Sequence, residues 1–325
     1  MASIAGAARP KAPTARGKHR NPPGPEYTRP WGFRQNPAVA KEIASLDAKV
    51  DCQRIAFLLK SYEFPMDMTR SLEIALYHTY GSKSVSQLLD FTQEFDNHGQ
   101  KRYDDTYLLI AQFMEAGWDN ELGDRALRRM NQAHARFTIK NDDYLFVLWT
   151  FIDFPVEWMR EYGWRAFTPH EEQAWYYFWM QIGQRMCIKD IPDTRSDYND
   201  FISNYEAREM VPNEYSRNVS DATIRIMQGW LPKTFRPAVK PLAACLCRPQ
   251  FLLAVGYDRP IWPLRVALWS LLKTRRIIKQ FVSFDAFPDL VANQSYRTYP
   301  DDDYEIENLG PAYYSPLPNQ TKNVE

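Results

Sequence analysis

Apolar and polar positions along the chain repeat at three- and four-residue intervals, and signals that start and stop helices fall at the ends of these runs. Asn36-Pro37 opens a first helix, Ser84 with Gln87 opens a later one, and Thr168-Pro169-His170-Glu171 forms a capping box with proline at its favoured first-turn position. Gly81, Gly117, Gly163 and Gly256 follow apolar periodic runs, where a left-handed residue closes a helix. Pro155 follows another such run and predicts a break or a restart between two helices. Hardly any stretch alternates as a strand would, no repeat stands at solenoid periods, and no Pro- or Gly-rich linker divides residues 36 to 290. The pattern predicts an all-α fold, a single globular domain of about ten helices over residues 31–295.

The flanking segments differ from this domain. Residues 1–30 carry Arg9, Lys11, Arg16, Lys18 and Arg20, six prolines, and no acid before Glu26. Such a segment buries too little apolar area to offset its ordering entropy, which predicts a disordered basic arm, a transit peptide being the alternative. Residues 296–325 read as an irregular acidic tail, with Asp301, Asp302, Asp303, Glu305 and Glu307.

No run reaches the 18 or more apolar residues of a membrane span. In residues 260–283 Trp262, Leu264, Leu268, Trp269, Leu272 and Ile278 alternate with Arg265, Lys273, Arg275, Arg276 and Lys279. That segment is either a core helix with a solvated face or an interfacial helix at a membrane surface. With no span and no secretion signal, the expected location is intracellular, either cytoplasmic or peripheral to an internal membrane.

Composition narrows the chemistry. Forty Lys and Arg balance forty Asp and Glu, so nucleic acid is not an expected partner. Thirteen glycines in 325 residues match neither a P-loop nor a dinucleotide fingerprint. The single His-Glu pair, His170-Glu171, lacks the second histidine of a zincin, no histidine stands three residues after a glutamate as di-iron bundles require, and no nucleophile elbow is present. Four cysteines predict reduced thiols, and Cys245-x-Cys247 reads as two small apolar positions. An aromatic content of 14% instead supplies large flat side chains to pack around something.

The most informative segment runs from Asp119 to Arg165. Leu127, Asn131, His134 and Thr138 share a helical face, with Arg128 and Arg129 one turn before the histidine. A histidine facing the core beside arginines serves either as a hydrogen-bonded structural residue or as a metal or haem ligand whose arginines hold propionates. Tyr103-Asp104-Asp105-Thr106 reads as a helix start, Asp capping free amides. His78 and His170 read as structural.

Several runs together carry a resemblance: Gln100-Lys101-Arg102-Tyr103-Asp104-Asp105-Thr106, Arg128-Arg129-Met130-Asn131-Gln132-Ala133-His134, Asn141-Asp142-Asp143-Tyr144, Tyr162-Gly163-Trp164-Arg165, Ile191-Pro192-Asp193 and Arg297-Thr298-Tyr299-Pro300. In this order, over about residues 45 to 310, the chain resembles the MpaB-type oxygenases, a family that includes the prenyl-cleaving enzyme of mycophenolic acid biosynthesis and, more distantly, the rubber oxygenases. The resemblance implies an all-helical protein that binds haem b, uses molecular oxygen as co-substrate, and cleaves carbon–carbon double bonds of a hydrophobic isoprenoid or terpenoid. It implies a metal-ligand or distal role for His134, Arg129 with Arg128 at the propionates, and Asn131 beside them, and it raises the alternative that Asp104 or Asp105 pairs with Arg128 or Arg129 to orient the His134 helix. Aligned through Asn141-Asp142-Asp143, it sets Thr150 where rubber oxygenases place their proximal histidine, and threonine does not ligate haem. Trp149, Phe151, Trp175, Tyr176, Phe178 and Trp179 are the expected pocket walls.

The leading expectation is therefore a haem-dependent oxygenase with His134 and Asp105 as catalytic candidates. The alternatives are a helical lipid- or terpenoid-binding protein without catalysis, favoured by Thr150, and a cyclase or isomerase using His134 with Asp104 or Asp105 as acid and base.

Overall fold

In the computed structural model, residues 37–282 and 288–311 are described; the arm expected over 1–30 lies outside them. Within them the chain forms thirteen α-helices, against the ten or so expected, with short π and 3₁₀ segments and no strand. Pro37 opens the first helix, α1 (Pro37–Ser45), which leads through α2 (Cys52–Leu58) and a buried π turn into α3 (Pro65–Thr79). The next helix, α4 (Lys83–Thr92), is capped by Ser82, whose side chain accepts from the Val85 amide. The expected cap, Ser84, already lies inside that helix and donates instead to Asp143 at 2.7 Å.

Two long helices follow, α5 (Glu94–Ala116) and α6 (Glu121–His134), joined by a tight corner. Gly117 adopts φ +79°, and a Cβ on Gly123 would sit 2.0 Å from the Gly117 carbonyl oxygen, so both positions require glycine for the helices to meet. Tyr103-Asp104-Asp105-Thr106 stands well inside α5, which overturns its reading as a helix start.

The centre of the domain is α7 (Asn141–Glu161), packed on α3 and flanked by α8 (Pro169–Arg185), which begins with the expected capping box. Pro155 neither ends nor restarts α7. A proline there removes the amide that would bond the Phe151 carbonyl. The buried Trp175 of α8 supplies the missing donor, its Nε1 lying 3.1 Å from that oxygen, so the helix continues without an orphaned acceptor.

The second half adds α9 (Arg195–Glu209), α10 (Glu214–Gly229), α11 (Arg236–Leu246), α12 (Pro249–Val255) and α13 (Trp262–Phe281). The last of these reverses the usual arrangement. Arg275 reaches Asp67 at 2.7 Å, Lys273 reaches Glu161 at 2.8 Å, and Arg276 bonds the carbonyls of Arg160 and Glu161. Lys279 is buried against Asp67. Its apolar residues face outward, with Trp262 71% exposed, Leu271 65% and Ile277 59%. It is thus not a core helix with a solvated basic face.

Residues 288–311, part of which fell in the expected acidic tail, pack against the body of the domain. Val291, Tyr296, Ile306 and Leu309 bury themselves with Leu108, Leu109 and Ala126 of α5 and α6.

Candidate functional site

The helices enclose a cavity of about 330 Å³. Its walls are apolar and come from seven helices: Leu76 and Tyr80 of α3, Leu88 of α4, Ile110 and Phe113 of α5, Met130 of α6, Val147 and Phe151 of α7, Trp179 of α8, and Ile226 and Met227 of α10. Gly310 and Pro311 complete it from the C-terminal segment. Its ionisable groups include Glu73, Glu94, Arg102, Tyr103, Asp105, His134, Lys140 and Asp143. A mostly apolar chamber with a minority of polar groups suits a hydrophobic ligand that needs one reacting or anchoring end.

His134 stands in the last turn of α6 and lines this chamber, edge-on to Tyr144 with ring centroids 5.7 Å apart. Its Nδ1 is enclosed and has no hydrogen-bond partner. A histidine at a helix C-terminus gains from protonation, but here desolvation, reinforced by the nearby Arg102, pushes the pKa down to about 4. The imidazole is therefore neutral at pH 7, with lone-pair capacity that no protein donor uses.

This shift has a measurable sign. An unfolded histidine titrates near about 6.5. Between that value and about 4 the unfolded chain holds a proton that the folded, cofactor-free chain does not. Stability is thus expected to fall as the pH drops through this window, by up to about 3 kcal/mol from His134, and to level off below it. Burial depresses the buried His78 as well, and that residue adds in the same direction. Urea titrations across pH 4 to 7 check this, and His134→Ala should flatten the slope.

The other expected site residues divide sharply. Asp105 lines the chamber, yet its carboxylate already accepts from Lys101 Nζ at 2.5 Å, Tyr299 Oη at 2.6 Å and the Gly310 amide at 2.7 Å. Asp104 accepts from the Thr298 amide and hydroxyl and from Gln100. Neither carboxylate meets Arg128 or Arg129, so the expected pairing gives way to one with the C-terminal segment. Arg128 lies 62% exposed against Asp124, while buried Arg129 donates to the Leu309 carbonyl at 2.6 Å. Asn131 donates to the Arg185 carbonyl. Thr150 is fully buried and bonds the Val147 carbonyl within its own helix. None of these four lines the chamber. Of the six expected aromatics, Phe151 and Trp179 line it, stacked at 4.8 Å; Trp149, Trp175, Tyr176 and Phe178 pack behind them.

The recurring motifs hold the walls in place. Two distant ones, Tyr103-Asp104-Asp105-Thr106 and Arg297-Thr298-Tyr299-Pro300, bind each other. Asp143 accepts from Ser84 of α4 and Tyr205 of α9, and Arg165 bridges Glu63 and the capping-box Glu171.

Sequence reading passed over Glu73, Arg102 and Lys140. Burial raises the Glu73 carboxyl above its ordinary range, and Tyr103 donates to it at 2.5 Å. Arg102 makes no ion pair among the described residues. Its place in the Gln100–Thr106 run was the available signal. Among the described residues, no three of His, Cys, Asp and Glu cluster to hold a metal ion by themselves.

Residues 80–279 match the family described as "ER-bound oxygenase mpaB/B'/Rubber oxygenase, catalytic domain". The chain is 26% identical over 250 residues to the ER-bound oxygenase mpaB' of Penicillium brevicompactum, covering 70% of this chain and 59% of that protein. It is 28% identical over 193 residues to the ER-bound oxygenase mpaB of Penicillium roqueforti, covering 54% of this chain and 65% of that one. The mpaB of Penicillium brevicompactum is 28% identical over 188 residues, 51% of this chain and 48% of its own length. The chain thus spans from about half to two thirds of these relatives. The family match contains His134, Arg102, Lys140 and Asp105; Glu73 and the segment 288–311 lie outside it.

Proposed function

Because the chain belongs to the mpaB and rubber oxygenase catalytic-domain family, we propose that it is an oxygenase that binds haem b in the helical chamber and cleaves a carbon–carbon double bond of a hydrophobic, isoprenoid-like substrate. In such a reaction each atom of dioxygen ends on one of the two alkene carbons. The double bond is lost, two carbonyl groups form, and no further oxidant or reductant is consumed.

The observation that carries this reading is the buried Nδ1 of His134, a neutral imidazole nitrogen with no partner inside an otherwise apolar chamber. Desolvation keeps it unprotonated, the state a metal ligand requires. Arg102, close enough to act on His134, and Lys140 are the cations that line the chamber, and they replace Arg128 and Arg129 as the residues that would hold propionates. With no three-ligand cluster among the described residues, a macrocycle that brings its own nitrogens suits a single histidine. Bound there, haem b supplies the iron chemistry that activates dioxygen.

The chain's own residues do the rest. Phe151, Trp179 and their neighbours exclude water and lay a flexible prenyl chain along the chamber. Glu73, paired with Arg70 at 2.8 Å and accepting from Tyr103, fixes the Tyr103 phenol at the chamber wall. An acid/base enzyme built on His134 with Asp104 or Asp105 is disfavoured, because both carboxylates are committed to structural donors.

No helix among the described residues is long and apolar enough to cross a membrane. Since the relatives are named ER-bound and the proposed substrate partitions into lipid, we place the protein at a membrane surface. Haem titration of the purified chain tests the central claim. One equivalent is expected to bind with a sharp Soret band and a rise in melting temperature. A chain that takes up no haem and yet binds prenyl compounds would be a binding protein.

A further inference from the structure

Residues 231–282 contain ten Lys and Arg and a single acid, Asp258, in a chain whose net charge is zero. Most of those cations are spent inward. Lys240 pairs with Asp221 and Arg248 with Asp153, while Lys273, Arg275 and Lys279 pair with Glu161 and Asp67. Lys233, Arg259 and Arg265 remain exposed without an ion pair among the described residues.

The surface between them is apolar. It comprises Phe235 (61% exposed) in the turn before α11, Ile261 (70%) just before α13, and Trp262, Trp269 (49%), Leu271, Ile277 and Phe281 (68%) of α13. A groove lined by Leu231, Leu242, Leu246 and Leu268 runs through it and ends on Met227, which is also a wall of the substrate chamber. Exposed apolar area on this scale is costly in water and marks a docking surface.

We propose that this face is a lipid-docking surface that rests on anionic phospholipid. Two indoles and several aliphatic side chains enter the boundary between headgroups and acyl chains, and Lys233, Arg259 and Arg265 meet the phosphates at its rim. The charge pattern selects lipid over a second copy of the chain: the face carries three unpaired cations at its edge against a single exposed acid, Asp258, too few to receive them across a two-fold axis. This assignment builds on the membrane-surface placement proposed above and adds the residues that make the contact. Met227 lines both the groove and the chamber, so the two spaces are neighbours across one side chain.

The test is flotation with vesicles of phosphatidylcholine alone and of phosphatidylcholine mixed with phosphatidylserine, alongside light scattering for oligomeric state. It needs neither haem nor turnover, so it succeeds or fails independently of the oxygenase reading. The wild-type chain is expected to float with both and more strongly with the mixture. Trp262→Ser/Leu271→Ser should lose binding to both by at least roughly tenfold, with an unchanged melting temperature because both side chains are exposed. Lys233→Glu/Arg265→Glu should lose the preference for phosphatidylserine and keep the weaker binding. Equal flotation of the Trp262 and Leu271 double variant and wild type would overturn the proposal. So would conversion of a dimer to a monomer by that variant with vesicle binding unchanged, which would assign the face to contact between copies.

Discussion

Replacing His134 by alanine is expected to abolish tight haem uptake while leaving the fold intact. Two observations combine to make the effect one-sided. The ring nitrogen Nδ1 is buried without a partner, so its removal orphans nothing, and deleting an unsatisfied buried group stabilises or leaves unchanged the cofactor-free chain. Because only a modest void remains in an existing chamber, far-ultraviolet circular dichroism and the apo melting temperature should stay within the error of wild type. Haem affinity, by contrast, should fall on the order of a hundredfold if the imidazole is the axial ligand. If it lies on the oxygen side instead, haem should still bind and alkene turnover should collapse. Unchanged uptake together with unchanged turnover would remove His134 from the site.

The second large effect concerns Asp105, in stability. Its carboxylate is nearly inaccessible and receives an ammonium, a phenol and a backbone amide at once. Asp105→Ala leaves the phenol and the buried amide without an acceptor and takes the counter-charge from Lys101. The expected cost is roughly 3 kcal/mol or more. Protease should then cut first within residues 296–311. Asp105→Asn retains an acceptor oxygen and should recover much of the loss in both stability and turnover. A stable Asp105→Asn variant with no turnover would return Asp105 to the chemistry.

Some of this was legible in the sequence because it is local. Capping at Thr168 and Glu171, helix starts at prolines, and helix ends at Gly117 and Gly256 are decided by neighbours a few positions away, and each stands where the pattern puts it. Pro155 was misread because its rescue comes from Trp175, a partner in the next helix that no periodicity reveals. The two acidic-run residues were misread for the same reason, since Thr298 and Gly310 are distant in sequence. Helix α13 was half legible: its alternation of apolar and basic positions predicts amphipathicity, but which side faces the protein depends on Asp67 and Glu161, carboxylates on two other helices. At the chamber, the face of α6 predicts that His134 points inward, as it does, whereas Arg128 and Arg129 were placed beside it by adjacency alone. Arg128 turns to solvent and Arg129 to a carbonyl, and the chamber draws its cation from α5 instead.

The bond between α5 and the C-terminal segment also sets an order of events during synthesis. Asp104 and Asp105 leave the ribosome 194 and 205 residues before the Thr298 and Gly310 amides that they will bind. At about 5–20 residues per second, about 10–40 s separate the two. Late in that interval, once α10 has emerged, the helices that form most of the chamber exist while its last wall at Gly310 does not. A nascent chain in this state exposes an apolar interior that chaperones recognise.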